Sequence, residues 1–180
     1  MRIIGGKYRG KKLWAPEGKK VRPTAERARE AVFNILFSHL DEAYENLDMA
    51  DIFAGTGAFG LEALSRGFKS ATFIDMDTKT VERNAKMFTA EQAKIKIIRA
   101  NAVNLPRLSQ KFQLVFMDAP YAQGLSEKVL AELVAKNWLA EKALCIVETR
   151  ADEVITWPEQ LELIDKRVYG LAQILFLQNI

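Results

Sequence analysis

The sequence predicts an α/β fold built on a mostly parallel, doubly wound β-sheet. Between residues 47 and 149, apolar strand-like runs alternate with segments of helical periodicity, which is the pattern of repeated βαβ units. The final stretch differs, because 161–168 and 171–178 are separated only by Tyr169 and Gly170, too few residues for a crossover helix. We therefore expect an antiparallel C-terminal hairpin. A chain of 180 residues is long enough for one compact core and short for two.

The first expected elements are a small hairpin and a helix. Residues 2–4 and 11–14 flank three glycines, a pattern that predicts a twisted β-hairpin outside the main domain. Further on, Thr24 is a candidate helix N-cap, followed by Glu26 in the first turn. Apolar residues then recur at helical spacing, which predicts a helix docked on the main domain. They are Ala28, Val32, Ile35, Leu36 and Leu40.

The main domain follows as an alternation of strands and helices. Gly67 is suited to end its first helix, because glycine adopts the left-handed conformation common after a helix C-terminus. Parallel strands joined by helices predict right-handed crossovers and one continuous sheet. The expected strands are 49–54, 70–75, 95–100, 112–117 and 144–149, and the expected helices are 59–66, 79–92 and 126–136.

Positive charge is concentrated at the N-terminus. Residues 1–29 carry ten Lys or Arg against two Glu, a net +8, which leaves −5 for the remaining residues out of a total of +3. Basic side chains interleaved with aromatic rings can meet phosphates while the rings stack on unpaired bases. We therefore interpret residues 1–23 as a basic RNA-binding hairpin extension and residues 24–180 as the main domain. The candidate RNA-binding residues are Arg2, Lys7, Tyr8, Arg9, Lys11, Lys12, Arg22, Thr24 and Arg27.

Several classes of protein are disfavoured by composition. The sequence has no long uncharged apolar run and no signal-peptide pattern at its start, so we expect a cytoplasmic protein without a membrane segment. Its single cysteine, Cys145, and single histidine, His39, provide neither an internal disulfide nor a metal-ligand cluster. Both fit structural roles better than catalytic ones. We expect metal-free chemistry and, by default, a monomer.

A glycine-rich motif lies where the first strand of the sheet turns into a helix. Within residues 51–60, Gly55, Gly57 and Gly60 satisfy the spacing G-x-G-x-x-G, and the first two would let a ligand approach the backbone. Asp75 ends the next strand, where a carboxylate could hold ribose hydroxyls. The glycines alone do not distinguish a dinucleotide from another adenosine-containing cofactor.

Asp51 favours one of these cofactors over the other. A carboxylate at this position would repel the pyrophosphate of a dinucleotide. S-adenosylmethionine has no phosphate and carries a sulfonium and an ammonium, so it is compatible with that charge. The motif therefore indicates a methyl donor.

A second motif, residues 118–121, follows an apolar strand directly. Such strand ends are where open α/β sheets bind ligands. An exocyclic base amine is a weak nucleophile, and its N–H groups can be drawn toward the carboxylate of Asp118 and the carbonyl of Ala119. Pro120 would stiffen the turn and Tyr121 would stack on the base. Alignment and electrostatics would then allow direct methyl transfer without a covalent intermediate.

These motifs resemble those of a known family. Residues 51–60 are similar to motif I of class I methyltransferases, and 118–121 to their Asp/Asn-Pro-Pro-Tyr motif. The segments Arg-Ile-Ile-Gly-Gly at 2–6 and Arg-Pro-Thr at 22–24, followed by Arg27, Arg29 and Phe-Asn-Ile-Leu at 33–36, resemble the RsmD family of bacterial 16S rRNA guanine-N2 methyltransferases, as does 60–67. The likeness covers nearly the whole chain.

The resemblance implies a seven-stranded class I methyltransferase (Rossmann-like) fold, S-adenosylmethionine as cofactor and 16S rRNA as partner, either naked or in an assembling small ribosomal subunit. It also implies that Asp75 binds the donor's ribose, that 101–102 meets its adenine, and that 118–121 holds the target guanine. The residues expected around the donor are Asp51, Phe53, Ala54, Gly55, Thr56, Gly57, Asp75, Met76, Asn101 and Ala102.

Two other functions remain open at this point. An NAD-dependent oxidoreductase would explain the glycines and Asp75, but not the basic N-terminus or residues 118–121. A catalytically decayed RNA-binding scaffold is suggested by Ala119 and Asn101, which stand where the family usually has proline and aspartate.

Overall fold

The computed structural model describes residues 1–16, 23–39, 44–121 and 123–180. A seven-stranded sheet carries helices joined to it by short connections. The helices are α1 (Pro23–His39), α2 (Ala58–Ser65), α3 (Lys79–Ala85) and α4 (Leu125–Ala135). The strands are β1 (Asp48–Ile52), β2 (Ser70–Asp75), β3 (Ile95–Arg99), β4 (Phe112–Asp118), β5 (Leu139–Arg150), β6 (Leu161–Tyr169) and β7 (Ala172–Asn179).

The sheet has the order β3-β2-β1-β4-β5-β7-β6. β1 to β5 run parallel, and β7 pairs antiparallel with both β5 and β6. From β1 the chain adds β2 and β3 on one side and then continues with β4 on the other side. The carboxyl ends of β1 and β4 therefore flank a crevice of the kind that binds ligands in open α/β sheets. The predicted mostly parallel sheet with an antiparallel C-terminal hairpin is confirmed.

Two element boundaries differ from the sequence-based expectations. The helix expected over 79–92 is wrong as one element: α3 ends at Ala85, and a separate 3-10 helix spans Thr89–Lys94. The strand expected at 144–149 is only the C-terminal half of β5, which begins at Leu139, and its pairing with β4 shifts register between Phe112 and Leu114. Apolar periodicity cannot detect either change, because both segments keep their buried residues.

Residues 1–16 pack onto the main domain. They form one antiparallel bridge, Arg2 to Lys12, and Ile3 and Leu13 are buried in the core. The carboxylate of buried Glu62, on α2, accepts hydrogen bonds from the backbone N–H groups of Ile4 and Gly5, at 2.7 Å each. This N-terminal segment is therefore fixed by both apolar and polar contacts.

The core fills both faces of the sheet. Phe33 and Phe73 belong to the cluster under α1 and α2, while Trp138 belongs to the cluster on the opposite face. Cys145 lies in the second cluster, and burial raises the pKa of its thiol to about 12, which fits a structural thiol.

α1 begins at Pro23, one residue before the expected cap Thr24, and Leu40 lies outside the described residues. Among the described helices, none is long and apolar enough to cross a bilayer.

Candidate active site

The two predicted motifs meet because β1 and β4 are neighbours. The strands pair in parallel, with Ile52 opposite Met117, so Phe53 and Asp118 come at adjacent strand ends. Two cavities open here, and Phe53 and Asp118 line both. The spatial requirement of the sequence-based hypothesis, adjacent strand ends, is met.

The larger cavity has a volume of about 520 Å³ and lies over the ends of β1, β2 and β3. Asp75 marks one part of its wall, where its carboxylate accepts hydrogen bonds from the N–H of Gly55 at 2.8 Å and of Asp77 at 3.0 Å. Each carboxylate oxygen can accept a second hydrogen bond, so the group can still hold hydroxyls. The volume is that of an ordinary small-molecule site.

Apolar groups form much of the larger cavity. Ala102 is buried, whereas the Met76 side chain is 64% exposed at the rim. Asn101 caps its own turn, because its Oδ1 accepts a hydrogen bond from the N–H of Val103 at 3.2 Å. This combination forms an apolar slot with a polar edge, a suitable environment for a purine ring.

The three motif glycines have different roles. A Cβ on Gly55 would meet no atom closer than 3.8 Å, and this residue lines the larger cavity with a φ of 54°. A Cβ on Gly57 would lie 2.6 Å from the Val81 side chain, and one on Gly60 would lie 2.3 Å from the ring of Phe73. The expectation that Gly57 admits a ligand is therefore not supported by its surroundings. Gly57 and Gly60 allow close packing of α2, and only Gly55 opens to the cavity.

Phe53 has a left-handed backbone with a φ of 61°. For a bulky residue without a glycine's freedom this conformation costs on the order of 1 kcal/mol or more. The half-buried side chain of Phe53 lies between the two cavities and lines both. Such outliers concentrate at functional sites.

The smaller cavity has a volume of about 160 Å³ and contains Asp51 in its wall. The Asp51 carboxyl group is buried and accepts a hydrogen bond from the N–H of Gly60 at 2.9 Å. Burial raises its pKa to about 8, with smaller contributions from Asp118 and Asp75. The group is therefore largely protonated at neutral pH in this state. The charge repulsion expected from the sequence does not follow from these surroundings.

Arg29 also lines the smaller cavity, a contact that the sequence-based analysis missed. Its side chain is buried, its Nε lies 3.6 Å from a carboxylate oxygen of Glu62, and its Nη2 donates to the carbonyl of Arg2 at 2.6 Å. Burial lowers the pKa of this guanidinium, while Glu62 opposes that shift. Arg29 lies three, four and seven residues before the buried Val32, Phe33 and Leu36, so the helical register of α1 does place it on the inward face.

The segment after β4 lies beside β5. Ala119 is buried, Pro120 is exposed at the larger cavity, and the Tyr121 hydroxyl donates to Oε1 of Glu148 at 3.3 Å. Glu148 is the register partner of Asp118 across the parallel β4–β5 pair, and it lines the smaller cavity. Sequence analysis missed Glu148 because it lies inside an apolar strand, far from either motif.

Most of the predicted donor residues surround these cavities. Nine of the ten line one or both, and Gly57 is the exception. The larger cavity has Phe53, Gly55, Asp75, Met76, Asn101 and Ala102 in its wall, and the smaller one has Asp51, Phe53, Ala54 and Thr56. Within the described part of the chain, no cluster of three potential metal-binding side chains occurs.

Several predicted RNA-binding side chains contact the protein itself. The Tyr8 ring packs on Phe88, with centroids 4.7 Å apart, and its hydroxyl donates to Glu91. Lys7 pairs with Glu91 at 3.0 Å, and the Lys11 ammonium donates to a backbone carbonyl. Stacking of a base on Tyr8 would therefore require these contacts to rearrange.

Other basic side chains face solvent. Arg9, Lys12 and Arg27 are exposed, and no ion pair to them occurs among the described residues. Arg9 and Arg27 line a surface groove of about 410 Å³ together with Arg2, which pairs with Glu26. Arg22 and the Thr24 side chain lie outside the described residues.

Comparison with known proteins places the chain in a family. A family model described as conserved hypothetical protein 95 matches residues 1–178. Ribosomal RNA small subunit methyltransferase D of Haemophilus influenzae is 32% identical over 99% of this chain and 94% of its own length; the Escherichia coli protein of that name is 37% identical over 94% and 85%. The chain belongs to the ribosomal RNA small subunit methyltransferase D family.

Solved structures agree with this assignment. The Escherichia coli protein yhhF superposes with a TM-score of 0.84 at 36% identity, covering 99% of this chain and 97% of that one. The N-methyltransferase NodS of Bradyrhizobium japonicum, solved with S-adenosyl-L-homocysteine, gives 0.67 at 14% identity over 91% of each chain, a likeness in fold alone. The class I methyltransferase fold expected from the sequence is confirmed.

The methyltransferase D family assignment confirms the resemblance based on 2–6, 22–24 and 60–67. The structure adds a reason for part of that pattern. Glu62, within 60–67, accepts the N–H groups of Ile4 and Gly5, within 2–6. Two sequence segments of the family therefore form one structural unit beside the smaller cavity.

Proposed function

We propose that this protein transfers a methyl group from S-adenosylmethionine to the exocyclic N2 amine of a guanine in 16S rRNA. The observation that carries the proposal is the position of Asp118, in the wall shared by the two cavities. A donor in the larger cavity and an amine beside Asp118 would lie next to each other. The names of the family members support ribosomal RNA of the small subunit as the substrate.

The larger cavity suits the adenosine part of the donor. Asp75 would accept hydrogen bonds from the ribose hydroxyls, and Asn101 and Ala102 would border the adenine. Asp51 and Arg29, which line the smaller cavity, would meet the ammonium and carboxylate of the amino-acid end. When bound, S-adenosylmethionine supplies an electrophilic methyl group on a sulfonium.

The chain's own part in the reaction is to orient the amine. Asp118 would accept one N–H and the carbonyl of Ala119 the other, which turns the nitrogen lone pair toward the methyl carbon. The nitrogen would gain a positive charge as its bond to the methyl carbon forms and the S–C bond breaks, with a neutral thioether as the leaving group. The Asp118 carboxylate would stabilise that charge and accept the proton released afterwards. Pro120 restricts the backbone of this turn.

Exposed basic side chains near the N-terminus offer contacts for the RNA phosphates. Arg2 and Arg27 line the exposed groove, while their chain neighbours Met1 and Ala28 line the smaller cavity. The groove and the smaller cavity therefore involve the same two segments, residues 1–2 and α1, but they lie on different sides of that helix. Arg9, Lys12 and Arg27 would contact phosphates, which fits residues 1–23 as an RNA-binding extension of a methyltransferase domain at 24–180. We place this activity in the cytoplasm, on RNA or an assembling subunit, with a monomeric enzyme.

Incubation with isotopically labelled donor and unmethylated small-subunit RNA or particles, followed by nucleoside analysis, tests the proposal. We expect N2-methylguanosine at one position. Label on another base or atom would contradict the assigned chemistry, and full RNA affinity without transfer would favour the decayed scaffold. Calorimetric titration with the donor and with NAD separates the oxidoreductase alternative, because only the proposed cofactor should bind.

A further inference from the structure

Glu148 is a second carboxylate at the amine site that the transfer scheme does not use. Its Cα is paired in register with that of Asp118, so the two side chains project from the same face of adjacent strands, roughly 5 Å apart along the sheet. Both line the smaller cavity. Any planar base whose amine meets Asp118 would therefore bring a neighbouring ring position close to Glu148.

The Glu148 side chain contacts the segment that follows β4. Its Oε1 accepts a hydrogen bond from the hydroxyl of Tyr121, three residues after Asp118, at 3.3 Å. The residue is half-buried, and burial raises the pKa of its carboxyl group while the Tyr121 hydrogen bond opposes that rise. A partly desolvated, oriented acceptor is the type of group that discriminates strongly between donor and acceptor atoms on a ligand.

Purines differ at the ring position beside the amine. Guanine has an N1–H donor next to its N2 amine, whereas adenine has an N1 lone pair next to its N6 amine. Asp118 alone would accept either amine. A carboxylate at the next position accepts a hydrogen bond from guanine N1–H but would place oxygen lone pairs against the lone pair of adenine N1.

We infer that Glu148 is the specificity residue of this site: it accepts a hydrogen bond from N1–H of the target guanine and rejects purines that lack this hydrogen. The inference rests on the proposed function, because it takes Asp118 as the acceptor for the amine. Tyr121 is then a positioning residue as well as a base contact, since it orients the Glu148 carboxylate.

The test uses 2-aminopurine, which keeps the 2-amino group but has an unprotonated N1. RNA carrying guanosine or 2-aminopurine at the mapped target position is methylated by the full-length protein with labelled donor. We expect wild type to prefer guanosine by at least about 100-fold in kcat/KM, because 2-aminopurine leaves the carboxylate facing a lone pair. Glu148→Gln can donate an amide N–H to that N1, so the preference should fall by at least about 10-fold, with 2-aminopurine gaining in absolute rate.

Glu141→Gln is the matched control, since Glu141 lies exposed on the same strand, outside both cavities, and should leave the preference unchanged. Donor affinity measured by calorimetry should be equal in all three proteins, which reports on folding. If Glu148→Gln lowers kcat/KM equally for the guanosine and the 2-aminopurine RNA, Glu148 has a structural role only. The inference is then wrong, while the proposed function stands. If wild type methylates no guanosine, the proposed function fails and this inference with it.

Discussion

The two cavities at the ends of β1 and β4 are built differently. The larger one is bounded mainly by residues at or shortly after the ends of parallel strands, as Asp75 and Gly55 illustrate. The smaller one combines residues from distant parts of the chain, including Met1, Arg29 and Glu148. The part of the site proposed for adenosine therefore depends mainly on the strand ends, whereas the part proposed for the donor's amino-acid end also involves Arg29 of α1. The acceptor side depends also on how the N-terminal segment and α1 dock against it, so donor binding and methyl transfer should be separable by mutation.

The largest separation is expected from Asp118→Ala. The variant loses the acceptor for the amine while the larger cavity keeps its other walls, so transfer to RNA should fall by about 1,000-fold or more. Donor affinity should change less than about threefold. Single-turnover transfer with saturating donor measures the first quantity, and calorimetry the second. An equal loss of transfer rate and donor affinity would show that Asp118 supports the donor site instead.

Docking of the N-terminal segment should depend strongly on Glu62. Its buried carboxylate pairs with Arg66 at 2.9 Å, lies near Arg29, and accepts two backbone N–H groups from residues 4–5. Glu62→Gln removes the countercharge that the guanidinium groups of buried Arg29 and largely buried Arg66 share, which should lower the free energy of unfolding by about 3 kcal/mol. Urea unfolding measures this, with the exposed Glu45→Gln as control. Equal stability of the two variants would contradict the proposed role.

The sequence allowed much of the larger cavity to be predicted and little of the smaller one. Asp75 and Asn101 follow strands that periodicity identifies, and topology then determines where those strand ends lie. Glu148 could not be found in this way, because its place at the site depends on the β4–β5 register. Arg29 shares the apolar stripe of α1, but only the docking of that helix brings it to the cavity. Gly57 illustrates the opposite case. Its motif position suggested a ligand contact, but a side chain there would collide with Val81, so a glycine is needed for packing.

Asp75→Asn should affect the donor side alone. The carboxylate accepts two backbone N–H groups, and an amide in its place turns one acceptor into a donor facing an N–H. We expect donor affinity to fall by about 10- to 30-fold, with the transfer rate at saturating donor nearly unchanged. Calorimetry and saturation kinetics measure the two values. The exposed neighbour Asp77→Asn serves as control, and a loss of rate at saturation would contradict the separation of the two cavities.

The smallest expected effect concerns the protonation of Asp51, which lines the smaller cavity. Its pKa is raised to about 8, so a donor ammonium nearby should favour the ionised form and release a proton on binding. Apparent donor affinity should therefore rise with pH, by less than about tenfold between pH 7 and 9. The same raised pKa means that this group's contribution to folding stability falls as pH rises from the ordinary aspartate range through 8.

Asp51→Asn keeps an acceptor for the N–H of Gly60 but cannot titrate, so both pH dependences should disappear in the variant. Calorimetry in buffers of different ionisation enthalpy counts the protons released on donor binding, and thermal unfolding across the same pH range reports stability. A wild-type affinity independent of pH would mean that the amino-acid end of the donor does not meet Asp51. That result would confine the donor to the larger cavity and leave the whole of the smaller one to the base.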